Sequence, residues 1–320
     1  MDLEKIVLVK KETDWEKLLR RYATASQAKF QLQSRGEDVS FYLSSHQDYH
    51  QSLEEVQKIV AGNGRWQVID KEELPTFLFS QRDLVVALGD PGLFVNLAKY
   101  VGEQPVISLN PEPARYANTF VSCEKQTFPE ILKLALKGKT QIEELTMAEA
   151  RLEDGQTLYA LNDLFIGRKT HVSARYTLSL SRENEINLEI KSEKIIERIT
   201  ERQSSSGIII STGSGSTGWL TSALVGAYGI AEMEYKAESA AFPRNADYLQ
   251  FVVREPFPSP LTGTSITKGS CTAKDPLYVT SNMPEDGVIF SDGIESDYLQ
   301  FNAGSTATIK PAERKVKLVR

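Results

Sequence analysis

Residues 206–222 read Ser-Gly-Ile-Ile-Ile-Ser-Thr-Gly-Ser-Gly-Ser-Thr-Gly-Trp-Leu-Thr-Ser, and their types could hold a ligand rather than merely pack. A β-branched run at 208–210 suits a buried strand, the Gly/Ser/Thr alternation a loop, and the apolar residues from Trp219 a helix. Gly213, Gly215 and Gly218 permit unusual backbone angles and close approach of a ligand to the main chain. The hydroxyls of Ser211, Thr212, Ser214, Ser216 and Thr217 add donors and acceptors. First-turn N–H groups of the following helix complete a field that fits an anionic or polyhydroxyl group. The competing reading is a flexible connector, against which stand the isoleucine run entering the loop and the tryptophan leaving it.

A second chemical candidate is Asp90. The apolar run 84–88 breaks into Gly89-Asp90-Pro91-Gly92, so a carboxylate sits at the carboxyl end of a buried strand. Ligands of open α/β sheets gather at such ends. Asp-Pro-Gly is also an ordinary turn sequence, and local sequence leaves both readings open. Lys10-Lys11-Glu12-Thr13 sets cations and a possible helix cap at the end of the first strand. His46 and His50 stand four apart, which could put two imidazoles on one helix face. With no third ligand beside them they read as solvated, and no metal site is expected. Cys123 and Cys271 lack metal or disulfide spacing and read as free thiols.

The elements that must position these residues fall into two styles. Strands at 5–10, 66–69, 84–88 and 105–109 alternate with helices at 14–33, 53–59 and 93–101, which predicts an α/β region with a mainly parallel sheet. Beyond residue 113 two helical stretches, 128–137 and 147–150, give way to strands at 157–161, 164–166, 174–180, 186–190 and 208–210. Further strands at 249–254 and within 277–299 make this region β-rich. Strands near 306–310 and 315–319 could serve either region. The expected division is residues 1–113, completed by about 300–320, and a β-rich ligand-binding region over 114–299.

Composition narrows the classes. With 320 residues, 41% apolar and 25% charged, the chain reads as a two-domain globular protein. A net charge of −6 argues against a general nucleic-acid binder. Neither a membrane-length apolar run nor a targeting segment is read, so a cytoplasmic location is expected.

Taken together, the Ser-Thr-Gly-Ser-Gly-Ser-Thr-Gly-Trp loop, the upstream Ala-Leu-Asn-Asp-Leu-Phe-Ile at 160–166 and the Gly-Asp loop at 89–90 resemble, in that order, the NAD kinases. Ser205-Ser206-Gly207, Arg254-Glu255-Pro256 and Asn110-Pro111-Glu112-Pro113 are most similar to the mitochondrial-type branch. The resemblance implies the NAD kinase/diacylglycerol kinase-like fold: an α/β N-terminal domain, a β-rich C-terminal domain, and the dinucleotide between them. It implies Asp90 as general base toward the adenosine 2′-hydroxyl of NAD, with Asn162 and Asp163 binding the dinucleotide. It further implies adenine and ribose contacts from Thr217, Gly218, Trp219 and Ser222, and donor phosphates met partly by Gly89 and Gly92. ATP with Mg²⁺ or another divalent metal is the implied donor, and a homodimer the default assembly.

The chain departs from the family pattern at three places. Leu88 and Pro91 replace glycines around Asp90, and Asp163 replaces a glutamate. Proline brings no N–H to a phosphate. Three functions therefore stand: a kinase making NADP from NAD, a catalytically impaired NAD-binding homologue with a regulatory role, and a lipid or diacylglycerol-type kinase.

Overall fold

A computed structural model describes residues 3–113, 119–188, 191–236 and 240–320. They form two compact units, Met1–Glu144 with Val316–Arg320, and Leu145–Lys315.

The first unit is built on a parallel sheet in the order Trp66–Asp70, Lys5–Lys10, Asp83–Leu88, Pro105–Leu109 and the end of the final strand, Thr306–Val319. Its inner strands are apolar in consecutive positions because both faces are covered: Ile6 through Val9 and Leu84 through Leu88 are all buried. Tyr49, Leu53, Val56 and Val60 of the helix Val39–Ala61 cover one face, together with Phe128, Leu132 and Ala135 of the helix Phe128–Leu136. That packing carries the first unit to Glu144 rather than to 113.

The expected single helix over 14–33 is two helices, Asp14–Tyr22 and Ala25–Ser34. Ala23 takes a left-handed conformation (φ 61°) as its N–H closes on Leu19 O, and the Thr24 hydroxyl accepts from Gln27 N to start the second helix. No glycine marks the break, so residue type alone did not reveal it.

The second unit is antiparallel. One sheet runs Lys268–Thr272, Tyr248–Val253, Ile208–Ser211, Asp163–Arg168, Gly287–Ser291 and Ile294–Gln300. A second set pairs Leu277–Ser281 with both Thr306–Val319 and Ala174–Leu188, and the latter with Lys191–Ser205. Ile166, Ile208, Ile210 and Phe251 from the first set share one core with Tyr176, Leu178, Val279 and Ile309 from the second.

Residues 147–150, expected as helix, belong instead to the strand Ile142–Leu152, paired with Thr157–Ala160. A short apolar run suits either element, and cross-strand pairing decides it. Of the strand expected at 186–190, residues 186–188 continue Ala174–Leu188, while 189 and 190 lie outside the described residues. The two expected final strands are one, Thr306–Val319. Its early residues pair in the second unit and Lys317 and Leu318 in the first. Among the described residues no helix is long and apolar enough to cross a membrane.

Candidate functional site

In the first unit the chemistry collects where the strands Lys5–Lys10 and Asp83–Leu88 end. Asp90 caps the helix Pro91–Leu97: its Oδ1 accepts from Leu93 N at 3.0 Å. Pro91 occupies the first turn, where a missing N–H breaks no internal helix bond, so the strand passes into the helix through a tight capped junction. A Cβ on Gly89 would stand 2.7 Å from Leu93 Cδ2 and 3.1 Å from Leu93 Cβ, so a larger residue there would press on that turn.

The other Asp90 oxygen is held by the Lys11 ammonium, and both side chains are mostly buried. Burial pushes the carboxyl of Asp90 up, but the Lys11 ammonium and the Leu93 N–H outweigh it and hold the group below its ordinary value. Tyr49 braces the corner, its hydroxyl accepting from Lys11 N at 2.9 Å and donating to Leu88 O at 3.2 Å. Lys10 pairs with Asp70, and Thr13 caps the helix Asp14–Tyr22 in a reciprocal box with Glu16. The Asn-Pro-Glu-Pro turn places Glu112 in the interior, where Ser45 donates to its carboxylate at 2.6 Å.

In the second unit the sheet register joins two motifs far apart in the chain. Asp163 lies directly opposite Ser211, and Leu164 opposite Ile210. Asn162 O accepts from Thr212 N at 2.9 Å, locking the Asn-Asp pair to the mouth of the Ser/Thr/Gly loop. Asp292 completes the junction. Its carboxylate accepts from Asn162 N at 2.7 Å, Leu161 N at 3.1 Å and Asp163 N at 3.2 Å, while its own N–H donates to Asp163 O at 2.9 Å. Residue type marked Asp292-Gly293 only as a turn, which it is, with φ 55° at Asp292.

Asp163 is buried, and its Oδ1 has no hydrogen-bond partner among the described residues. Burial raises its carboxyl to about 7, with the Ser211 hydroxyl pulling it down and the Asp292 charge pushing it up again. A buried, unsatisfied acceptor is uncommon, and a ligand that donates to it would relieve the deficit.

The loop after Ser211 divides into a buried base and an exposed lip. Ser211, Thr212, Gly213, Ser214, Gly215 and Ser216 are buried, and most of their hydroxyls are used internally. The Thr212 hydroxyl donates to Leu161 O at 2.5 Å and accepts from Ser214 N and Gly215 N at 3.1 and 3.2 Å. Ser216 Oγ donates to Gly213 O at 2.8 Å, and Ser211 Oγ to Thr212 O at 3.1 Å. Ser214 Oγ alone of these has no partner among the described residues. Gly213 and Gly215 are required for space, because an added Cβ would lie 2.0 Å from Pro243 O or 2.3 Å from Asn162 O. None of the three loop glycines has a positive φ, but Gly218 (φ −98°, ψ −112°) lies outside the regions open to other residues and uses the backbone freedom expected of it.

Thr217, Gly218 and Ser222 are exposed and Trp219 half-exposed, on a turn, Ser216–Leu220, that kinks at Gly218 and runs into the helix Thr221–Ile230. Trp219 stacks on Phe165 with centroids 5.4 Å apart and planes at 15°, and the Arg254 guanidinium lies 5.9 Å from its ring. Arg254 is tied in turn to Ser206-Gly207, donating its N–H to Gly207 O and accepting from Ser206 N. Phe165 and Arg254 are thus neighbours of the lip that residue type alone did not single out.

No protein-family model and no curated protein matches the sequence. Among solved structures, the chain is similar to an NAD kinase from Archaeoglobus fulgidus in complex with ATP, with 13% identity and a TM-score of 0.54, over 99% of this chain and 93% of that one. It is also similar to yeast NADH kinase complexed with NADH, with 11% identity and a TM-score of 0.54, over 100% of this chain and 84% of that one. The chain therefore shares the fold of these NAD and NADH kinases, an α/β unit with a mainly parallel sheet and an antiparallel β-rich unit.

Proposed function

We propose that this protein is a kinase of NAD or NADH, moving a phosphoryl group from a nucleoside triphosphate such as ATP to the adenosine 2′-hydroxyl. The observation that carries the reading is the register of Asp163 against Ser211. It joins the Asn-Asp pair to the Ser/Thr/Gly loop, the two motifs whose resemblance to NAD kinases concerns the dinucleotide. Asn162 and Asp163 then serve the nicotinamide dinucleotide, and Thr217, Gly218, Trp219 and Ser222 offer its adenosine half an exposed lip. Asp90 accepts the hydroxyl proton as the phosphorus–oxygen bond forms. The buried loop residues act as scaffold for the lip, and the divalent metal arrives with the donor nucleotide. Assaying 2′-phosphorylated product with Mg²⁺–ATP and both redox forms tests the reading. Product is expected from wild type and is lost in Asp90→Asn with dinucleotide affinity little changed. A wild type that binds NAD(H) and phosphorylates neither form with any triphosphate or polyphosphate refutes it.

One observation favours a second reading, an NAD-binding protein without transferase activity. Asp90 is engaged by Lys11 and Leu93 and held acidic, which weakens it as a base. Pro91→Gly separates the two: a large gain in turnover supports impairment, and no gain over an active wild type supports the native loop as competent.

A further inference from the structure

Two of the chain's three histidines stand on one face of the helix Val39–Ala61, and the third is elsewhere, at His171. The rings of His46 and His50 are 4.4 Å apart, centroid to centroid, with their planes at 65°. The sequence offers no third ligand nearby. The fold does, because the helix Asp14–Tyr22 brings Glu16 across, and its Oε1 lies 2.9 Å from His50 Nε2. Ligand atoms from all three side chains lie within 4.8 Å of one another. We propose that Glu16, His46 and His50 form a binding site for a single transition-metal dication of the zinc class.

Three features argue for an ion rather than a chance meeting of polar side chains. Two ligands on one tetrahedral ion, each about 2.0–2.1 Å from it, are about 3.3 Å apart. Glu16 Oε1 and His50 Nε2, 2.9 Å apart, need to part by only a few tenths of an ångström to reach that. Two imidazoles with one carboxylate suit Zn²⁺, Co²⁺ or Ni²⁺, whereas Mg²⁺ and Ca²⁺ prefer oxygen donors throughout.

The surrounding shell is also built for ligation. Thr13 Oγ1 lies 2.9 Å from His46 Nδ1, which fixes the ring. Thr13 donates to the other Glu16 oxygen, from N at 2.8 Å and from the hydroxyl at 3.0 Å, so Oε1 is the oxygen presented. One threonine thus orients two of the three ligands. Glu16 and His50 also line a cavity of about 410 Å³ with Lys10, Glu12, Arg20 and Asp70, which gives a three-ligand ion a solvent oxygen for its fourth position.

The site rests on no part of the kinase reading, and its test reads no activity. The untagged full-length protein, stripped by a chelator, is titrated with Co²⁺ while visible absorption is followed, and then with Zn²⁺ in competition. One equivalent per chain is expected, with nitrogen/oxygen-ligand absorption bands, a raised Tm, and no displacement by Mg²⁺. Affinity should fall at least about tenfold in His46→Gln and in His50→Gln, fall similarly in Thr13→Val, and stay unchanged in His171→Gln. Because Thr13 and Glu16 also close a helix cap, Thr13→Val and Glu16→Gln are read only where their unfolding curves match that of wild type. His50, with a side chain 41% exposed, carries the test without that complication. Absent or substoichiometric binding, or binding unchanged in His46→Gln and His50→Gln, overturns the proposal.

Discussion

The Lys11 ammonium grips the Asp90 carboxylate, each residue standing just past the carboxyl end of one of two neighbouring parallel strands. In Lys11→Met the burial of Asp90 is opposed only by the Leu93 N–H and more distant charge, so its carboxyl rises. A base fails as pH falls through its own value, so the acid limb of kcat/KM should move to higher pH in this variant. Carboxyl NMR of Asp90 reads the same shift without turnover. The linkage has the corresponding sign. Asp90, depressed in the folded state, contributes stability that is full above its unfolded value of about 3.9 and is lost as pH falls through the folded one. Lys11→Met should shrink that loss, measured by urea unfolding at acidic pH.

Asp163 behaves in the opposite sense. Its folded value, raised to about 7, exceeds the unfolded one, so the unfolded chain releases the proton first as pH rises. Wild type should lose stability relative to Asp163→Asn between about pH 4 and 7 and lose no more above that. The limiting slope is about 1.4 kcal/mol per pH unit. Urea unfolding of both proteins across that range measures it, and a flat difference would contradict a raised carboxyl.

Asp292 holds three backbone N–H groups at the head of the Asn-Asp pair. Asp292→Ala should cost about 2–4 kcal/mol, since it strands donors in the interior. Asp292→Asn keeps an acceptor and tolerates the left-handed backbone, so its cost should be smaller. It should also lower the Asp163 carboxyl, because a neighbouring negative charge is gone. Thermal unfolding and carboxyl NMR of the two variants check both parts.

Gly213→Ala and Gly215→Ala each push a methyl into backbone atoms and should cost about 3 kcal/mol or more. Gly226, inside the helix Thr221–Ile230, has open space around it. Gly226→Ala should stabilise by about 0.5–1 kcal/mol. A set of three unfolding curves in urea separates glycine kept for space from glycine merely tolerated.

The parallel sheet was legible because strands covered on both faces read as unbroken apolar runs, as at 84–88. The strand-to-helix junctions at residues 89–91 and after Ser211 were legible because their residue types are unusual at an element boundary. What the sequence concealed depends on partners distant in the chain. Asp292 looks like any Asp-Gly turn until the register sets it over the N–H groups of residues 161–163. His46 and His50 had no carboxylate beside them in the sequence until the fold brought Glu16 across from a different helix. For Gly213 and Gly215 the sequence hid the reason glycine is needed, since crowding by Pro243 and Asn162 is invisible in one dimension.

The final strand has a consequence for synthesis. The first unit's sheet takes its fifth strand from residues made only after all of Leu145–Lys315, so the Pro105–Leu109 strand has no partner on that side when it emerges. At about 5–20 residues per second that delay is roughly ten to forty seconds on the ribosome. For that interval a buried, uncharged strand presents an open edge to other nascent chains. Chaperone engagement of arrested chains should therefore persist past residue 144 and end only once Val316–Arg320 clears the exit tunnel.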